Sequence, residues 1–109
     1  MFQIQVALNM NGDPEVVVSP LDPTVRRHED IIWTQIGTQS FTFVSLTPIK
    51  NTLHDIKYNS NHTQITATYD AKAKDQCDYT IVVQDSQGGL HDTIFRGIGN
   101  GGAPTIKNN

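Results

Sequence analysis

Residues 2–10 read Phe-Gln-Ile-Gln-Val-Ala-Leu-Asn-Met, and their spacing sets the class of fold. Phe2, Ile4, Val6, Leu8 and Met10 fall on one side of an extended chain, and Gln3, Gln5, Ala7 and Asn9 on the other. A period of two is that of a strand with one buried face. Asn11-Gly12 follows at once, a pair that accepts the positive φ angles of a type I′ hairpin turn. Asp13-Pro14 closes the turn, and Pro14, with no N–H for a ladder, suits a strand start or a sheet edge. Val16-Val17-Val18 is the second strand. Pro20 and Pro23 end it and stiffen the chain that follows.

The rest of the chain repeats this grammar. Strands are expected at residues 24–26, 31–36 around Trp33, 41–46 and 64–69, with Ile65, Ala67 and Tyr69 on one face. Residues 53–58 suit either a strand or a short helical turn. Asn59-Ser60-Asn61 is a turn by composition, and residues 71–76 could hold one helical turn. Tyr79, Ile81 and Val83 alternate through another strand. Ser86-Gln87-Gly88-Gly89 reads as a hairpin loop returning through residues 91–96. The sum is eight or nine short strands, the pattern of a β-sandwich or barrel. No helix of crossover length separates any two of them, which argues against a parallel sheet.

Composition agrees. Ile (11), Val (8) and Thr (12) make up 31 of the 109 residues, and β-branched side chains fit a pleated surface better than a helix. This length is one domain, assigned to residues 1–96. Residues 97–109 form a tail, with Gly97, Gly99, Gly101 and Gly102 so close together that ordering them costs much entropy. The tail is expected to be mobile unless a neighbour holds it. No apolar run is long enough to span a membrane, and the N-terminus lacks the basic start of a signal peptide. Eight basic against eleven acidic residues give a net charge of −3, which argues against a nucleic-acid binder.

Residues 75–81, Asp-Gln-Cys-Asp-Tyr-Thr-Ile, resemble the tyrosine corner that precedes strand F of immunoglobulin domains. The resemblance makes Tyr79 the corner tyrosine, Asp75 its aspartate and Cys77 the small residue. Ile81 stands where the disulfide cysteine would be, and Trp33 is the core tryptophan. With a single cysteine no internal disulfide is possible, which suits a reducing, cytoplasmic setting. Residues 25–34, Val-Arg-Arg-His-Glu-Asp-Ile-Ile-Trp-Thr, resemble a cupredoxin strand through Asp30 and Trp33. The copper ligands expected there are missing: Gln39-Ser40-Phe41 holds no histidine, and Ile81 replaces the cysteine. A blue-copper centre needs two His and a Cys. The resemblances therefore imply a Greek-key β-sandwich, immunoglobulin-like or cupredoxin-like, without copper. Asp13-Pro14-Glu15, the size and the Trp33 strand are also similar to small bacterial proteins grouped as the DP-EP family. That likeness implies a bacterial source and no particular chemistry.

The candidate reactive groups each have a plainer reading. Histidine is followed by an acid at His28-Glu29-Asp30, His54-Asp55 and His91-Asp92. Neighbours on a strand face opposite ways, so such a pair chelates one ion only in a loop, and a metal site needs three or four converging ligands. His28 with His91 or His62 is the best available combination, and solvated loop histidines are the preferred reading. Cys77 lies between Asp75 and Asp78, which raise a thiol pKa rather than activate it. Asp70, Asp75 and Asp78 lack the spacing of a calcium loop. Ser19, Ser40, Ser45, Ser60 and Ser86 lack a nucleophile-elbow context, and the glycines after residue 96 lack the lysine of a phosphate loop. Arg26-Arg27 is offset by Glu29 and Asp30. Phe41 and Phe43 could stack bases but suit a core equally well. Asn61-His62-Thr63 is a glycosylation sequon that carries no weight without secretion.

No catalytic residue, cofactor or metal is therefore expected, and three functions compete. The first is a binding or assembly module that meets a protein partner, or itself, through an edge strand; the Val16–Val18 strand and the C-terminal tail are the candidate edges. The second is a metal-binding protein or hydrolase built from His28, His54, His62, His91 and nearby aspartates. The third is a carbohydrate or small-ligand module, which would need Tyr58 and Tyr69 exposed on one face. The first is preferred, without nucleic acid or membrane as partner.

Overall fold

The computed structural model describes residues 1–10, 14–21, 23–37, 40–48, 52–70, 76–93 and 104–108. Among them the chain is all-β, with two sheets and no helix. Its strands are β1 (Phe2–Asn9), β2 (Glu15–Ser19), β3 (Thr24–Val25), β4 (Asp30–Gln35), β5 (Phe41–Pro48), β6 (Leu53–Tyr58), β7 (Gln64–Tyr69), β8 (Gln76–Asp85), β9 (Leu90–Asp92) and β10 (Thr105–Asn108). The first sheet runs β2-β1-β4-β7-β6, and the second β3-β10-β8-β5 with β9 also paired to β8.

The alternation of β1 works as its spacing demands. Ile4, Val6 and Leu8 are buried, while Gln3, Gln5 and Asn9 face solvent. β2 folds back antiparallel on β1, with Val18 opposite Val6 and Val16 opposite Leu8, so their inward faces are continuous. The Asn11-Gly12 turn lies outside the described residues. Ile65, Ala67 and Tyr69 of β7 are buried, and so are Tyr79, Ile81 and Val83 of β8. The two inner faces close over a core whose largest fully buried side chains are Trp33, Tyr69, Tyr79 and Phe43.

The structure settles one open alternative and departs from the sequence reading in two places. Residues 53–58 are a strand, not a helical turn. Leu53 is buried and pairs across to Tyr69, so the neighbouring strand decides what local propensity left open. The sheets are also mixed. β1 lies parallel to β4, with Phe2 opposite Ile31 and Val6 opposite Gln35, and β10 lies parallel to β3. Parallel neighbours need a long crossover. Between β1 and β4 the chain returns as β2 and then visits the second sheet as β3. Finally, Thr105–Asn108 is a strand held between β3 and β8, with Ile106 fully buried. The end of the segment read as a tail is thus part of the second sheet. The glycines from 97 to 102 lie outside the described residues, as does the possible helical turn at 71–76 except for Gln76, which opens β8.

Candidate functional site

The expected structural residues occupy the centre. Trp33 on β4 and Tyr79 on β8 are fully buried and come from different sheets. Trp33 Nε1 donates to the Tyr79 hydroxyl at 3.2 Å, and the rings meet edge to face with centroids 5.6 Å apart. The corner reading expected the Tyr79 hydroxyl to bond backbone a few residues upstream; the partner seen is an indole 46 residues away. Burial raises the Tyr79 pKa well above its ordinary value. Ile81 is buried in the same face of β8. Its amide donates to Thr93 Oγ1 at 3.0 Å. Asp75 lies outside the described residues. Cys77 is fully buried, and desolvation pushes its thiol up to about 11, as befits a packing residue rather than a nucleophile.

The four histidines fall in three places. His28 and His54 both reach Asp70, with His28 Nε2 3.1 Å from Oδ1 and His54 Nε2 3.0 Å from Oδ2. Arg27 Nε donates to Asp70 Oδ1 at 2.7 Å. That hydrogen bond is the main reason the Asp70 carboxyl sits below its ordinary pKa of 3.8, against the opposing pull of desolvation. Backbone bonds place the cluster: the His28 amide donates to Tyr69 O at 2.6 Å, and the Asp70 amide to Thr52 O at 2.8 Å. His91 Nε2 lies 2.7 Å from Asp85 Oδ2, while Asp85 Oδ1 accepts from the Gln87 and Gly89 amides. Asp85 thereby builds the β8–β9 turn. Among the described residues no three or more His, Cys, Asp or Glu side chains are grouped to hold a metal ion. The combination of His28 with His91 or His62 does not form; His54 is the one that joins His28. Tyr69 is fully buried, so Tyr58 and Tyr69 form no exposed aromatic platform.

His62 has a structural task that its loop position did not announce. It sits at φ 56° in the β6–β7 turn, a region a non-glycine residue seldom enters. Asn59 shapes that turn, its Oδ1 accepting from the Thr63 amide at 2.7 Å and the Gln64 amide at 3.0 Å. His62 then meets Phe43 on the outer side of β5. The Phe43 amide donates to His62 O at 2.7 Å, and His62 Nδ1 lies 3.1 Å from Phe43 O. The His62 ring stacks on Tyr58, whose hydroxyl accepts from the Leu46 amide at 2.9 Å. Gln35 Nε2 donates to Phe41 O. A strand edge offers unpaired backbone groups to any passing strand; on β5 the Phe41 carbonyl, both Phe43 groups and the Leu46 amide are already engaged. Beside this seam an open groove of about 400 Å³ is lined by Thr42, Val44, His62 and Gln84, among others.

The remaining edges differ in how they are protected. β6 carries an irregularity between His54 and Lys57, with Asp55 at φ 54° and Lys57 exposed. β3 has two residues and leads into exposed Arg26 and Arg27. β2 ends the first sheet without an irregularity, and among the described residues no strand pairs with its outer side, although β9 lies close to it and Glu15 is an exposed charge. The five residues of β2 pair with β1 in unbroken register, and Val17 is an exposed apolar residue on the outer face. Pro14 and Pro20 bracket it. No helix of the described residues is long and apolar enough to cross a membrane. No family model matches the chain, and no curated protein matches it.

Proposed function

We propose that this chain is a non-catalytic β-sandwich module that joins another protein chain by strand addition at β2. The observation that carries the reading is the contrast between edges. His62, Tyr58 and Gln35 engage backbone groups along β5, β6 is broken by an irregularity, β3 is minimal, and β2 is regular, ends the first sheet and, among the described residues, has no strand paired on its outer side. Natural sheets blunt edges that are not meant to pair, and strand addition takes its affinity from main-chain hydrogen bonds.

The fold type belongs to the same proposal. Immunoglobulin sandwiches are built from two antiparallel sheets. The parallel β1/β4 and β3/β10 pairs depart from that plan and favour the cupredoxin-like alternative. The module carries no copper function, because Ile81 stands in the core where a thiolate ligand is needed. The lone buried Cys77 suits a cytoplasmic setting. The likeness to the DP-EP family, and with it a bacterial source, remains part of this reading through Pro14-Glu15 and the Trp33 strand.

Native mass spectrometry of untagged protein from its own cells tests the function. A dimer, or a stoichiometric complex with another chain, is expected. Hydrogen exchange at Glu15–Ser19 should be slower in that species than in the monomer. A bare monomer at all concentrations overturns the reading, as does a complex in which β2 exchanges unchanged.

A further inference from the structure

We infer that the chain added at β2 is a second copy of this protein, antiparallel and related by a two-fold axis through Val17. The inference rests on the strand-addition reading and names its partner. Its starting point is the segment Pro14-Glu15-Val16-Val17-Val18-Ser19-Pro20, which is nearly symmetric about its centre. A dimeric two-fold interface places one patch against itself. Turned about Val17, Val17 faces Val17 of the second copy, Val16 faces Val18 and Glu15 faces Ser19, so all five strand residues find an opposite.

Each of these pairings is chemically favourable or neutral. β-branched pairs stabilise neighbouring strands, and like charges directly opposite destabilise them. The glutamates land at opposite ends of the interface, each across from a serine hydroxyl that can donate to the carboxylate. Val17, 39% exposed, gains cover on the outer face, and Val16 and Val18 complete their burial on the inner one. Ala7 stands beside Val17 on β1. Exposed Ile36, whose amide donates to Val6 O, continues past β4. The apolar surface therefore reaches the edge that the second copy would extend.

The pleat excludes most other registers. Opposite residues in a sheet must share a face, and a one-residue slip sends every side chain to the wrong one. An axis between two residues would set inward Val18 against outward Val17. An axis through Val16 leaves Val18 and Ser19 without an opposite strand residue, and an axis through Val18 leaves Glu15 and Val16 so. Val17 is the centre that avoids both faults.

Cysteine cross-linking reads this register directly. Directly opposite Cα atoms in an antiparallel pair lie ~4.5–5.5 Å apart, within disulfide range. Cys77 is buried and does not compete. Under mild oxidation Val17→Cys is expected to form a covalent dimer. Glu15→Cys alone should not, since its two copies lie ~13 Å apart along the strands, whereas Glu15→Cys with Ser19→Cys should. Val17→Lys, an exposed change that leaves the core untouched, sets two ammonium groups face to face and should weaken the dimer at least ~10-fold by sedimentation velocity, with an unchanged circular dichroism spectrum. A monomeric wild-type chain, or Glu15→Cys linking as readily as Val17→Cys, overturns the inference. If the chain alone is monomeric but a complex with a different chain protects β2, the second-copy inference falls and the strand-addition reading stands. If no complex protects β2, both fall.

Discussion

Trp33 and Tyr79 join the two sheets through one buried hydrogen bond, from the indole Nε1 of β4 to the phenol oxygen of β8 at 3.2 Å. The rings meet at 75°, the edge-to-face arrangement that aromatic quadrupoles favour. A polar contact in a core of aliphatic side chains costs little while both partners are present, and leaves an orphan when one is removed.

Tyr79→Phe removes the acceptor and strands the indole N–H. The expected loss of stability is about 1–2 kcal/mol, seen as a lower urea midpoint with an unchanged slope. Because the packing shape is nearly preserved, the fold should persist and Trp33 fluorescence should report the change. An unchanged midpoint would show that the bond contributes nothing.

Asp70 should contribute to acid sensitivity. Its carboxyl is held below its ordinary pKa of 3.8, first by the Arg27 hydrogen bond and further by the charges of Arg27, His28 and His54. A carboxyl whose pKa is lower folded than unfolded stabilises the protein fully above the unfolded value. That contribution disappears as pH falls through the folded value. Asp70→Asn should therefore be less stable than wild type at pH 7, and the gap should close below pH ~4. Denaturation midpoints across that range measure it. A gap independent of pH would assign the loss to packing instead of charge.

Tyr58→Phe should loosen the seal on β5. It removes the oxygen that accepts the Leu46 amide while keeping the ring against His62. Hydrogen exchange at Leu46 is expected to speed up while exchange at Ile81, inside the sheet, stays slow. If the second edge matters for keeping copies apart, this variant should also form species larger than a dimer at high concentration.

What was legible in the sequence follows from how local its cause is. The alternation in β1, β7 and β8 needs only a buried face, and the composition of Asn59-Ser60-Asn61 marks a turn because asparagine side chains bond nearby amides. The strand at residues 53–58 was ambiguous because Lys57 and Asp55 interrupt its apolar pattern. The final strand was hidden because glycine density dominates residues 97–102, while Ile106 is a lone apolar residue until β3 and β8 flank it. Trp33 and Tyr79 were each assigned to the core, but nothing local joins a residue to one 46 positions away. His62 looked like a solvated loop histidine because its partner Phe43 belongs to another strand.

The sequence by itself determined the all-β class, the buried faces, the lack of a copper ligand set and the near-symmetry of residues 14–20. These depend on residue type and spacing, which the chain carries without folding. Only the tertiary structure decided which strands are neighbours, that β1 runs parallel to β4, that Asp70 gathers His28 and His54, that Phe43 of β5 is held by His62, and that β2 ends the first sheet. Those are relations between distant segments, fixed when the two sheets close over a shared core.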